Sequence, residues 1–263
     1  MKALLAVVFL GLGLVGQAQT PDASIAHARD GGTVEIIQSI DVAPLAGAPF
    51  SAVVATEWTK ILADGTTATV WNFRTVARDS TGRVFQERRL LTPNGNSEQP
   101  ALRSLEYSDP NRHESYNCIV AEKTCYLRKY PRSALTALPA GMSGLAACAC
   151  ASPQTAGVTI THEALGQKTV ENVDAIGSRE ITTLAAGKFG NQKSQPIVKE
   201  FWYSPRLGLN LVTKRFDPRS GAQNFVVEKL SLSEPNASLF EPPADYQVVR
   251  QVVERAGVTH AGR

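Results

Sequence analysis

No run of five lysines or arginines occurs anywhere in the 263-residue chain, so the electrostatic footprint of a nucleic-acid-binding protein is missing. The 27 basic and 24 acidic residues leave a net charge of +3, evenly spread, and that balance names no charged partner. Histidine is scarce, at four residues. His27 and His260 fall in expected tails and His113 in a turn, so no ligand cluster is implied. His162-Glu163 begins like a metalloprotease signature, but Gly166 stands where the second histidine belongs. The nucleophile elbow Gly-x-Ser-x-Gly is absent, because Gly141-Met142-Ser143-Gly144 lacks the second spacer. Gly187-Lys188-Phe189-Gly190 has the wrong spacing for a phosphate-binding loop. These gaps leave no cofactor and no metal to expect.

One long apolar run is present, and it stands at the start. Met1 and Lys2 form a short positive region, Ala3 to Val15 are apolar, and Gly16-Gln17-Ala18 places small residues where a signal peptidase cuts. The run falls short of the roughly 20 residues that span a bilayer as a helix. Residues 1–18 are therefore expected to be a signal peptide, and the destination periplasmic or secreted. No cysteine follows the run to take a lipid, and no later stretch reads as a transmembrane helix. Residues 19–32 read as a flexible lead-in, 33–250 as a single β-rich domain, and 251–263 as a C-terminal tail. With 43% hydrophobic and 19% charged residues the composition is that of a globular protein. A domain of this size buries roughly 75% of its unfolded surface, enough to stand on its own core.

The four cysteines fit an oxidising compartment. Tyr116 to Val120 and Thr124 to Leu127 read as two strands joined by a four-residue turn. That register sets Cys118 opposite Cys125, close enough for a disulfide. Cys148 and Cys150 leave three readings open: a reducible bridge, half of a metal site, or two thiols pairing elsewhere. Export favours disulfides over zinc, since neither pair has Cys-x-x-Cys spacing.

Short alternating segments separated by turn residues run along most of the chain from Val34 onward. Asp64-Gly65 is a hairpin signal between a strand ending near Trp58 and one spanning residues 67–78. That second strand puts Trp71, Phe73 and Thr75 on one face and Asn72, Arg74 and Arg78 on the other. Asp79-Ser80-Thr81-Gly82 turns the chain back into residues 84–91. Strands over 102–108, the cysteine hairpin, a hairpin of 158–161 with 169–184, and three clean strands over 197–203, 207–216 and 224–232 follow. The pattern predicts a mainly β fold of about eleven strands, a large antiparallel meander curled into a half-barrel to manage its edges. Short helices are few. A turn at residues 235–240 can be capped by Asn236 or Ser238, and residues 134–151 are a weak helical candidate within a stretch that reads as a loop or a lid.

The phrases Arg78-Asp79-Ser80-Thr81-Gly82-Arg83, Phe201-Trp202-Tyr203-Ser204-Pro205-Arg206-Leu207-Gly208-Leu209 and Asp217-Pro218-Arg219-Ser220-Gly221 resemble those of uncharacterised secreted bacterial proteins. So does the closing stretch from Glu234-Pro235-Asn236 to Asp245-Tyr246. More distantly, the strand order and this closing pattern are similar to the LolA/LolB and RseB group. That resemblance implies an open β half-barrel with an apolar lining, in proteins that carry or sense lipoproteins by their acyl chains. The N-terminal helix of the group is not evident here, and no functional residue is carried over.

Two residue sets remain as site candidates. Trp58, Trp71, Phe73, Phe201, Trp202 and Tyr203 fall on strands that can neighbour one another, lining an apolar pocket or filling a core. Glu57, Glu87 and Glu200 sit on strands, where carboxylate pairs can act as acid and base and single ones simply face solvent. The leading expectation is binding or carriage of a lipid or other hydrophobic ligand in the cell envelope. An envelope protein-interaction or sensory module is the alternative, and a hydrolase using strand carboxylates the third reading.

Overall fold

A computed structural model describes residues 40–95, 98–130, 156–188 and 190–251. All of them belong to one compact unit. The first seven strands are β1 (Phe50–Ile61), β2 (Thr67–Arg78), β3 (Val84–Arg89), β4 (Thr92–Pro93), β5 (Leu102–Asp109), β6 (Glu114–Ile119) and β7 (Thr124–Lys129). They are followed by β8 (Val158–Val170), β9 (Val173–Leu184), β10 (Gln195–Ser204), β11 (Leu209–Asp217), β12 (Gly221–Ser231) and β13 (Gln247–Arg250). Together they make a single open, curled sheet of thirteen strands in the order β13-β7-β6-β5-β3-β2-β1-β12-β11-β10-β9-β8, with β4 paired to β2. Helical structure among the described residues is limited to 3-10 turns such as Val120–Glu122 and Ala237–Phe240. None is long and apolar enough to cross a membrane.

The mainly β, curled architecture expected from the alternation is the one found, with two more strands than the pattern suggested. It is not wholly antiparallel, because β13 returns to pair with β7 in parallel. The chain also closes on itself in the middle of the sheet, where β1 holds β2 on one side and β12 on the other.

Three details correct the sequence reading. No strand spans residues 40–49, which form an irregular strap interrupted by Pro44, Gly47 and Pro49. Buried arginines take its carbonyls: Arg74 donates to Ile40 O, and Arg78 to Ala43 O and Ala48 O. Second, β8 does not stop at Thr161. It runs through a bulge between Ala164 and Gly166 and turns at Glu171-Asn172, where φ values of 48° and 61° make the two-residue turn a hairpin twist favours. Third, β3 ends at Arg89, two residues early, and a separate β4 follows. The helical candidate at 134–151, the adjoining loop, Cys148 and Cys150 lie outside the described residues.

Polar turns fix the hairpin ends. The Asp79 carboxylate accepts from Thr81 N–H at 3.0 Å, Arg83 N–H at 2.8 Å and Arg83 Nε at 2.6 Å. Burial pushes that carboxyl up, but the Arg83 and Thr81 hydrogen bonds outweigh it and hold the group below its usual range. Asp217 does the same for the β11–β12 turn with Arg219, whose hydrogen bonds keep the carboxyl low. Gly221 ends this turn because a side chain there is impossible: φ is +88° and a Cβ would stand 2.0 Å from Thr59 O.

Two cores result. The larger includes Phe50, Ala52 and Val54 of β1, Val76 of β2, Leu209 and Leu211 of β11, and Phe225 and Val227 of β12, with the strap's Ile40 and Val42. The smaller joins Ala77, Phe85, Tyr107, Cys118, Cys125 and Phe240. Strand alternation puts Val76 and Ala77 on opposite faces of β2, so on that strand the two cores take opposite sides, although Trp202 and Val212 of the larger core lie by register on the side of Ala77. Phe240 comes from the 3-10 turn that Asn236 caps by accepting from Ser238 N–H, as the sequence suggested.

Candidate functional site

The side of β2 that carries Arg74, Val76 and Arg78 continues through the register into β3, β5, β6 and β7 as two parallel rows. One is Val84–Ser108–Ser115–Arg128 and the other Gln86–Glu106–Asn117–Tyr126. The alternate residues Phe85, Tyr107, Cys118 and Leu127 point to the opposite side and are buried. Across the first side lies the strap. Between strap and sheet the structure holds a cavity of about 450 Å³, walled by both rows and closed on its apolar side by Val42, Pro44 and Val84. Tyr107, Tyr116 and Gln251 also border it.

Arginines shape this wall. Arg74 is buried and donates to Gln86 Oε1 at 2.6 Å. Burial, with Arg88 nearby, pushes its pKa down to about 10, so it stays charged at neutral pH. Arg88 pairs with Glu106 at 2.8 Å. Tyr126 donates its hydroxyl to Glu122 at 2.9 Å. Ser108, Ser115, Asn117 and Arg128 have no ion pair and no side-chain hydrogen bond to any described residue. The cavity therefore combines an apolar side with a donor-rich polar side, and its volume falls in the range of small-molecule sites.

The six aromatic candidates are distributed over both faces. Trp58 is buried and donates Nε1–H to Ser220 O at 2.7 Å, with Lys60 Nζ 3.9 Å over its ring. Phe201 shares that face by register. Trp71 and Phe73 stand on the opposite face, their rings 6.1 Å apart. Trp202 is buried in the larger core over Gly177, where a Cβ would meet its ring at 2.7 Å, and Lys168 sits 3.8 Å above it. Tyr203 is exposed. None of the six walls the cavity. The residues that do were missed in sequence, although the signal was there: polar Ser104, Glu106 and Ser108 alternate with apolar Leu105 and Tyr107.

The three carboxylates are engaged differently. Glu200 lies in a cross-strand row Glu163–Arg179–Glu200–Lys214–Asn224–Glu57. Its hydrogen bond from Trp202 Nε1 at 2.8 Å, followed by Arg179 and Lys214, holds it below the usual range. Burial pushes Glu87 up, but bonds from Arg89 and Thr75 N–H outweigh it. Glu57 is exposed, three strands from Glu200, or about 14 Å at the usual strand spacing. Two carboxylates held ionised and a third so far away do not make an acid–base pair. Among the described residues no group of three or more His, Cys, Asp or Glu side chains is placed to hold a metal ion. Cys118 and Cys125 face each other and are joined by a disulfide.

No family model matches the chain, and no curated protein matches it. Solved structures do show similarity in fold. The complex of Pseudomonas aeruginosa MucA and MucB is 14% identical with a TM-score of 0.35, covering 76% of this chain and 58% of that one. A LolA superfamily protein from Nitrosomonas europaea is 8% identical with a TM-score of 0.30, covering 75% and 91%. The Mycobacterium tuberculosis lipoprotein LppX is 14% identical with a TM-score of 0.26, covering 71% and 88%. The chain spans under two thirds of the length of the MucB chain.

Proposed function

We propose that this chain is an exported binding protein of the cell envelope that holds a small amphipathic molecule in the cavity between the strap and the β3–β7 wall. The cavity carries the reading. It is large enough for a small ligand and has one apolar and one polar side. The carboxylates elsewhere are tied up in ion pairs or isolated, which supports carriage or sensing rather than chemistry. The signal-like residues 1–18 support export, and with it a ligand met outside the cytoplasm.

A second reading is favoured by one observation. The opposite face carries a shallow groove lined by Ile181, Val198 and Phe216, with Arg179, Glu200 and Lys214 beside it. Such a surface suits an envelope protein partner.

Native mass spectrometry of the mature protein from a periplasm, followed by solvent extraction, separates the two. Near-stoichiometric amphiphile in the wild type, lost in a Ser115→Trp variant that retains its circular-dichroism spectrum, is the expected result. A ligand-free wild type that takes up dodecanol no better than Ser115→Trp would overturn the cavity reading and leave the groove.

A further inference from the structure

The polar wall of the cavity is not electrically uniform. In the row Gln86–Glu106–Asn117–Tyr126 the one carboxylate is already neutralised, since Arg88 holds Glu106 at 2.8 Å. Gln86 is occupied by Arg74, and Tyr126 by Glu122. The neighbouring row differs. Ser108 pairs with Ser115 across β5 and β6, and Ser115 with Arg128 across β6 and β7, so two hydroxyls and a guanidinium stand side by side on one face. Side chains directly opposite on neighbouring strands lie about 5 Å apart at Cβ, within reach of one shared ligand group. None of the three has an ion pair or side-chain hydrogen bond to a described residue. The wall thus ends in one uncompensated positive charge with five N–H donors, flanked by two hydroxyls that can also donate.

A guanidinium fork matches the paired oxygens of a carboxylate or phosphate, and a charge-assisted, bidentate contact is the strong form of such a bond. The row begins at Val84, and Val42 and Pro44 of the strap lie across from it. Polar head and apolar body therefore have separate places along one cavity. We infer that the cavity selects an anionic amphiphile, its carboxylate or phosphate head held by Arg128, Ser115 and Ser108 and its apolar part against Val42, Pro44 and Val84. This rests on the ligand-binding reading of the cavity and adds the sign and position of the head.

The test uses the mature protein with three probes: dodecanoate, dodecanol of the same chain length, and inorganic phosphate. Affinities are measured by titration calorimetry for the wild type, Arg128→Gln, Arg128→Lys and Ser115→Trp. Arg128 is exposed, so its replacement leaves the cores untouched. Dodecanoate should bind the wild type about tenfold tighter than dodecanol, the worth of one good charge-assisted contact. Arg128→Gln should bring the two within about twofold, with dodecanol unchanged, and Arg128→Lys should fall between. Equal affinity of both probes for the wild type would overturn the anionic head while the cavity stands. Phosphate binding as tightly as dodecanoate would overturn the amphiphile in favour of a free anion. Unchanged dodecanoate binding in Ser115→Trp would instead sink the cavity reading beneath the inference.

Discussion

Arg78 is wholly buried and forms no ion pair with any described residue. Its Nε and Nη1 donate to Ala48 O and Ala43 O at 2.9 Å each, and Nη2 donates to Leu207 O. The Phe50 ring lies 5.0 Å from its guanidinium carbon. Burial pushes the pKa down to about 10, which still leaves the group charged at neutral pH. One side chain thereby satisfies strap carbonyls that no neighbouring strand can reach, and ties them to the β10–β11 turn. Spacing showed Arg74 and Arg78 opposite Trp71 and Phe73 but not which face the strap would cover, because the carbonyls that reward a buried arginine lie some 30 residues upstream. Arg78→Ala strands three buried acceptors and should cost about 3–5 kcal/mol in urea unfolding. Arg78→Lys should recover less than half, since an ammonium lacks the planar fork that reaches three directions. A loss below about 1 kcal/mol in Arg78→Ala would show that the strap is held by its apolar residues instead.

Hairpins were legible to the extent that their turn chemistry was local. The register of the cysteine hairpin was legible, because a four-residue connection fixes it and sets Cys118 against Cys125, while its strands run two residues further at their far ends than the pattern suggested. Its turn closes with Lys123 in the left-handed region at φ 46°. The β8–β9 turn was misplaced because Glu171-Asn172 carries no glycine, while Gly166, which looks like a turn, marks only a bulge. The cavity wall was harder still. Its rows draw residues from β3, β5, β6 and β7, and only the pairing of all four makes neighbours of Val84 and Arg128. The disulfide closes a loop of about eight residues and should stabilise the fold by about 2.5 kcal/mol on the chain-entropy model. Both sulfurs are also buried against Tyr107 and Phe240. The double variant Cys118→Ala, Cys125→Ala should therefore lose at least that amount in urea unfolding. It is a better comparison than reductant, which would also open any bridge made by Cys148 or Cys150. Unchanged stability would mean that sheet pairing alone fixes this edge.

At the scale of the whole molecule, the question is whether one sheet with two cores unfolds as one body. The larger core draws on the strap, β1, β2, β3, β9, β10, β11 and β12, while the smaller is confined to β2, β3, β5, β6, β7 and the segment around Phe240. They touch through the backbone, where Val76 serves one and Ala77 the other on consecutive residues of β2. Loss of the smaller core therefore loosens a strand that the larger one needs, and β1 depends on β2 along its full length. The tryptophans report this coupling, since Trp58, Trp71 and Trp202 lie on β1, β2 and β10, away from Phe240. Phe240→Ala empties a site under the Arg83 guanidinium and should cost about 3–5 kcal/mol. If the sheet is one cooperative unit, tryptophan fluorescence and far-ultraviolet circular dichroism will move to lower urea together, by the same amount. Were the fluorescence midpoint to stay in place while the circular dichroism split into two steps, the β2–β7 wall would be a separable unit. The cavity, built mostly from that wall, would then open without unfolding the rest.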